Sequence, residues 1–385
     1  MQDKLIYLDN AATVFPKPDA VLNKMLDIYR QWGVSPGRGG YDLAVMASDM
    51  VMDVRKQLCR FFGSDDPERV IFASNASDAL NLIIQGMIEP GCHVVSTRLE
   101  HNSVLRPLHH FQEKGVLAYD LVESDGEGRI DPEDIARAIK PETVMVIVNH
   151  ASNVTGTIQD AEAIARVCRY HEVPLILDAA QSAGLVPIRM KEWGVSALAF
   201  TGHKSMMGPS GIGGLVFAGD VDIRGTRFGG TGIDSKSLVH TQAFPHRLET
   251  GTPNFLGIIG LGAGLEHAER LGIDDIRNRE VELAKHLSQG LREISAVRMR
   301  GPSGWDKRLG VTLATVENMD PDDVGAILDG DYGIAVRTGL HCAPLAHRDL
   351  KTFPQGGVRF SIGPFNTIND IDAAISAMAE IGKNK

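Results

Sequence analysis

Most of six short runs in this chain are apolar throughout rather than alternating: Val70–Ala73, His93–Thr97, Val144–Asn149, Leu175–Leu177, Ala197–Thr201 and Gly214–Ala218. A strand with one wet face alternates polar and apolar residues, so unbroken runs predict strands buried on both faces. Helix-length amphipathic segments, such as Asp78–Gly86 and Asp160–His171, lie between them. Strand–helix alternation predicts an α/β fold with a mainly parallel sheet. Beyond about Gly257 the texture changes. Helical patterns at Gly260–Leu271, Arg277–Ile294, Pro321–Leu328 and near Asn369–Ile381 surround a strand-like Gly310–Ala314 and the Val336–Phe360 region. That reads as a smaller α+β domain. The expected organisation is an arm at 1–15, a large domain at 16–257 and a small domain at 258–385.

In open α/β sheets, ligands bind beyond the carboxyl ends of the strands. The polar residues there come first. Asp178 closes the run LILD, where a carboxylate is costly unless paired. As a lone residue it reads as an N-cap or loop acid. Lys204 follows the next run, beside His203 and ahead of the Gly-rich stretch MMGPSGIGG. A lysine held in such a pocket can lose its proton and form a Schiff base. Asp and Lys at successive strand ends make the layout of a pyridoxal 5′-phosphate (PLP) site, the acid for the pyridinium and the amine for the aldehyde carbon. FASNASDALNLII at 72–84 puts a helix start after a strand, where free N–H groups suit a phosphate or an ordinary cap by Asn75 or Ser77. His101 follows a further strand, placed to stack on a ring and move protons.

Of four cysteines, Cys59, Cys92 and Cys168 lie in or beside ordinary helix or strand patterns. Cys342, in AVRTGLHCAPLAH, is bounded by Gly and Pro and has Arg337 and His341 nearby. Nearby positive charge favours the thiolate, the nucleophilic form. A mobile loop carrying a thiolate suits sulfur transfer. The cysteines have neither disulfide-scaffold density nor metal-ligand spacing, so no metal and a reducing compartment are expected. A net charge of −10 argues against nucleic acid. No secretory leader or membrane-length apolar stretch is read, and a cytoplasmic location is the expectation. GIGG at 211–214 is no dinucleotide fingerprint, lacking GxGxxG after a first strand.

From YLDNAAT at 7–13 to VRFSIGPFNT at 358–367, through EHNS, NHASNVTGT, DAAQSAG, TGHK, ETGTPN and RTGLHCAP, the chain resembles the cysteine desulfurases of the class V aminotransferase superfamily. The resemblance is to their SUF-type and selenocysteine-lyase-like group, fold-type I PLP enzymes. It implies a large domain with a mainly parallel seven-stranded sheet and a smaller α+β C-terminal domain. Lys204 is then the Schiff-base lysine, Asp178 the partner of the ring nitrogen, Gln181 that of the phenolic oxygen, and His101 the ring-stacking proton donor or acceptor. Ala76, Ser77, Thr201 and His203 hold the phosphate. Thr252 reaches the cofactor of the neighbouring subunit, which implies a homodimer with shared sites. Asn153 and Arg359 bind the substrate carboxylate, while Arg337 and Arg38 line the entrance. Cys342 takes the sulfur of L-cysteine as a persulfide, for an acceptor protein or small thiol, and alanine leaves. Ala76 and Ser77 stand where the family often has two threonines, and Leu340 where the SUF-type enzymes commonly have His. The alternatives are a selenocysteine lyase acting on L-selenocysteine, another class V aminotransferase or PLP lyase, and a non-catalytic scaffold.

Overall fold

The computed structural model describes residues 5–37, 39–233 and 235–383. Its central sheet has seven strands: β2 (Val70–Ala73), β3 (Cys92–Thr97), β4 (Leu117–Val122), β5 (Thr143–Asn149), β6 (Leu175–Asp178), β7 (Ala197–Thr201) and β8 (Gly213–Phe217). They are preceded by β1 (Ile6–Tyr7). The order across the sheet is β2-β8-β7-β6-β5-β3-β4. Only β8 runs against its neighbours, so the sheet is mixed and mainly parallel.

Side chains alternate across a strand, and here both faces are dry. Val146, Val148, Leu175, Leu177, Leu198 and Phe200 point to one face, against the helices Asp42–Phe62, Ala161–Tyr170 and Phe255–Leu271. Met145, Ile147, Ile176, Ala197 and Ala199 point to the other, against the helices Ala76–Met87 and Asn102–Glu113. That double burial produces the unbroken apolar runs. β4 lies at the sheet edge, and its middle residues are partly wet. With Tyr119 and Asp120 in it, no unbroken run announced this strand.

A second, four-stranded antiparallel sheet is built from β9 (Val297–Arg300), β10 (Val311–Val316), β12 (Arg337–Gly339) and β13 (Gly357–Ser361), in the order β12-β13-β10-β9. The helices Ile273–Arg292, Pro321–Tyr332 and Ile368–Lys383 supply its core through Leu283, Leu287, Val324, Leu328, Ile371 and Met378. β11 (Ile334–Ala335) pairs in parallel with β1, and Leu8 joins the same core. The seam expected at 257/258 falls inside the first turn of the helix Phe255–Leu271. That helix packs its Ile258, Ile259, Leu261 and Leu265 into the core of the seven-stranded sheet, so the chain passes to the second sheet after it.

The same helix fixes the loop that carries Lys204. A Cβ on Gly264 would lie 2.5 Å from the Met206 carbonyl oxygen and 2.6 Å from Gly208 N, backbone that cannot swing aside. Gly264→Ala is therefore expected to destabilise the protein by ~1–3 kcal/mol, as overpacked sites do. Urea unfolding of wild type and variant would measure it. No helix among the described residues is long and apolar enough to cross a membrane.

Candidate active site

The strand polarity brings the carboxyl ends of β2, β3, β5, β6 and β7 to one edge of the sheet, and a cavity of about 280 Å³ opens there. Its lining includes Lys204, Asp178, Gln181, Ala76, Ser77, Thr201 and His203. His101, Asn153, Arg337 and Arg359 complete it. These residues come from both sheets. Among the sequence expectations, Thr252 and Cys342 do not line it, and Arg38 lies outside the described residues.

Asp178 is buried and accepts a hydrogen bond from Ala180 N–H at 2.9 Å. Burial raises its pKa, opposed by that N–H and by the Lys204 charge. Burial lowers the Lys204 amine to about 8; Asp178 resists the shift, while Arg359 and Arg337 add to it. Lys204 is thus an amine that loses its proton close to neutrality. Gln181 donates one amide hydrogen to the Ala11 carbonyl at 3.0 Å, and its side chain borders the cavity.

Asn75, not Ser77, caps the helix Ala76–Met87: its Oδ1 accepts from Asp78 N–H at 3.0 Å. The first N–H groups of that helix sit beside the cavity, where an anion is stabilised. The buried Thr201 hydroxyl has no partner. His203 is held by its carbonyl, which accepts from Thr13 Oγ1 at 2.9 Å and Val14 N–H at 3.2 Å.

His101 caps the helix Asn102–Glu113 with its ring. Nδ1 accepts from Ser103 N–H at 3.0 Å. A backbone N–H can only donate, so the neutral ring carries its hydrogen on Nε2. Burial, followed by the charges of Lys204 and Arg337, lowers this histidine to about 4, so it stays neutral at physiological pH.

Arg359 on β13 is almost wholly buried. Nη2 donates to Asp9 Oδ1 at 2.6 Å and Nη1 to the Asn153 carbonyl at 3.0 Å, while Nε has no acceptor. Asn153 Oδ1 is likewise unpartnered, although its Nδ2 donates to the His341 carbonyl at 2.6 Å. Arg337 lies opposite Arg359 in the β12–β13 register. Its Nη2 contacts Cys342 Sγ at 3.4 Å, which links the cavity to the thiol. Cys342 is the one cysteine that is not buried. Burial pushes Cys168 up to about 12, consistent with an inert core thiol. The Cys342 segment is short and tied down: Asn102 N–H donates to the Cys342 carbonyl at 2.7 Å, and the Ala343 amide donates to the Leu340 carbonyl at 2.9 Å.

The family model for class V aminotransferases matches residues 6–374. This chain belongs to the class V aminotransferase family. It is 33% identical to a probable cysteine desulfurase of Pyrococcus abyssi, over 100% of this chain and 96% of that protein. A probable cysteine desulfurase of Halalkalibacterium halodurans is 35% identical over 96% of this chain and 91% of its own length. The apo structure of a cysteine desulfurase from Thermococcus onnurineus NA1 superposes with a TM-score of 0.93 at 34% identity, covering 99% of this chain and 95% of that one.

Several residues around the cavity were not singled out from sequence. Asp9 holds Arg359, Ser103 orients His101, and Asn149 lines the cavity. Glu100 lies buried beneath them. Its Oε1 accepts from Thr97 Oγ1 at 2.7 Å and Asn149 N–H at 2.9 Å, and its Oε2 has no partner. YLDNAAT, EHNS and NHASN contain these residues, so the signal was present without a role attached. Burial raises Glu100 to about 8 against those two hydrogen bonds. The folded protein then keeps a proton that the unfolded chain releases near about 4.3. Unfolding releases this proton, so stability falls as pH rises through that window, by up to ~1.4 kcal/mol per unit. Glu100→Gln should flatten this slope in melting curves taken from about pH 5 to about pH 8; an unchanged slope would assign it to other groups.

Proposed function

We propose that this protein is a PLP-dependent cysteine desulfurase that converts L-cysteine to L-alanine and receives the sulfur on Cys342. One observation carries the reading: a single cavity holds Lys204 against buried Asp178, and Arg337 spans from that cavity to the only unburied cysteine. The residues fit the cofactor. Asp178 is an acid placed for a ring nitrogen, and Gln181 keeps an uncommitted amide hydrogen for the phenolic oxygen. Thr201 Oγ1 is a hydroxyl without an acceptor beside the N–H groups at Ala76 and Ser77, as a phosphate cradle requires. His203 and Ser77 complete that cradle.

When bound, PLP supplies an electron sink for the pair released at the substrate Cα. Arg359, through its unpartnered Nε–H, and Asn153 hold the substrate carboxylate and so orient the amino acid. Lys204, whose amine is neutral above about 8, removes the Cα proton. His101 is a neutral donor through Nε2–H and manages the proton on the sulfur side. The Cys342 thiolate attacks the substrate sulfur. An S–S bond forms, and the substrate's Cβ–S bond breaks with its electron pair left on Cβ; Cβ takes up one proton, Lys204 returns the proton it removed to Cα, and alanine is complete. Arg337 holds its positive charge against Cys342 Sγ throughout.

The same reading includes a homodimer in which Thr252, exposed on the single chain, reaches the partner's cofactor. Exposed Phe228, Leu238 and Val239 in the preceding segment support such a contact. It also includes an arm at 1–15 that travels with the C-terminal sheet, a protein or small-thiol sulfur acceptor, and a cytoplasmic setting that keeps thiols free. The test is alanine release from L-cysteine with and without an added 2-oxo acid. Alanine released without an acceptor supports the desulfurase; cysteine consumed only with the 2-oxo acid, giving the acceptor's amino acid and no alanine from cysteine, makes the protein an aminotransferase. Turnover of L-selenocysteine alone makes it a selenocysteine lyase.

A further inference from the structure

Behind the Cys342 turn, three side chains form a hydrogen-bonded row that the mechanism above does not use. His341 Nε2 faces the Arg337 carbonyl at 3.2 Å, and His341 Nδ1 meets His347 Nε2 at 3.1 Å. His347 Nδ1 meets Thr352 Oγ1 at 2.7 Å. All three residues are buried, and the two rings stack with centroids 5.2 Å apart.

One end of the row decides every hydrogen in it. A carbonyl only accepts, so His341 Nε2 carries the hydrogen. Nδ1 of that neutral ring is then an acceptor, and His347 Nε2 donates to it. His347 Nδ1 is left to accept from the Thr352 hydroxyl. The assignment requires two neutral rings. Burial, followed by the charge of Arg359, lowers His347 to about 4 and also lowers His341.

The turn beside this row needs support. His341 and Cys342 have φ of 51° and 58°, two consecutive residues in the left-handed region that a Cβ disfavours. Such a conformation persists only where its surroundings over-determine it. Two anchors act on the backbone: Asn153 Nδ2 on the His341 carbonyl and Asn102 N–H on the Cys342 carbonyl. The third is the His341 ring, which reaches back to the carbonyl of Arg337, the residue whose guanidinium touches Sγ.

We propose that His347 and Thr352 are positioning residues, locking the His341 ring onto the Arg337 carbonyl and so fixing the turn that presents Cys342 Sγ beside Arg337. This inference rests on the reading of Cys342 as the sulfur-accepting residue. It makes the donor on residue 347, rather than its bulk, the feature that matters. His347→Gln places an amide N–H where Nε2–H stands, and His347→Leu fills the space without a donor. Thr352→Ser keeps the hydroxyl. Thr352→Val keeps the shape without it and lets the His347 hydrogen move to Nδ1, which ends the donation to His341.

The experiment uses holoenzyme and two readouts, with Cys342→Ala alongside. One is kcat and KM for L-cysteine by alanine release; the other is amide hydrogen exchange of the 337–343 segment by mass spectrometry. In His347→Leu, exchange in that segment should accelerate and kcat should fall about tenfold, as for a misplaced reacting group. KM should stay within about twofold, since Arg359 is untouched. His347→Gln should recover most of both losses. Thr352→Val should fall between, and Thr352→Ser should recover; this pair carries the same contrast if His347→Leu does not fold. Equal behaviour of the donor and non-donor variants, or unchanged exchange, overturns the inference. If Cys342→Ala is inactive while His347→Leu keeps the wild-type kcat, this inference alone falls. If Cys342→Ala still turns over cysteine, the reading of Cys342 fails. The exchange contrast then decides by itself whether the row holds the turn.

Discussion

Lys204→Ala should leave no measurable alanine release from L-cysteine. Lys204 has two tasks in this account, holding the cofactor aldehyde and removing the Cα proton. Loss of a positioned acid–base group alone costs about 10²–10⁴-fold, and loss of the covalent anchor adds to it. The burial that lowers the Lys204 amine to about 8 is supplied by the fold. The variant should therefore fold, with a melting temperature near that of the wild-type apoprotein, because it removes a desolvated amine rather than a core side chain. Alanine assays and melting curves, run together, separate a lost catalyst from a lost fold. Near-normal turnover in Lys204→Ala would sink the whole reading.

Cys342→Ala should abolish desulfuration of cysteine while cofactor binding survives. Cys342 Sγ touches Arg337 but does not line the cavity, so its removal leaves Asp178, Lys204 and the helix start at Ala76 in place. A drop of about 10²-fold or more in kcat is expected, because the nucleophile is gone. Absorbance of the bound cofactor should be unchanged. Activity on selenocysteine need not be lost, since selenium leaves more readily than sulfur. A loss of cofactor absorbance would instead make Cys342 a structural residue of the pocket.

The sheet was legible because strands buried on both faces advertise themselves. β5, β6 and β7 were read to within a residue at each end. β4 was missed for the opposite reason: an edge strand with Tyr119 and Asp120 half in water shows no unbroken run. The Gly-rich sequence of the helix Phe255–Leu271, in whose first turn the 257/258 boundary lies, does not show how closely it packs on the first sheet. At the site, Lys204 and Asp178 were found from strand ends, a local signal. Asp9 and Glu100 were not, since each has a partner distant in the chain, Arg359 in one case and the Asn149 amide in the other. The Cys342 segment, bounded in the sequence by glycine and proline, is a tight turn held by Asn102, Asn153 and the His341 ring. Sequence spacing carries no trace of the long-range anchors from Asn102 and Asn153.

The central claim, that sulfur passes from cysteine to Cys342, is tested most directly by peptide mass spectrometry. Holoenzyme would be exposed to one equivalent of L-cysteine with no thiol reductant or acceptor present, and the alanine released would be counted. The account predicts one added sulfur atom on the peptide containing Cys342 for each alanine released, and none on those containing Cys59, Cys92 or Cys168. Alanine released with Cys342 unmodified, or with the sulfur on one of the buried cysteines, would contradict it.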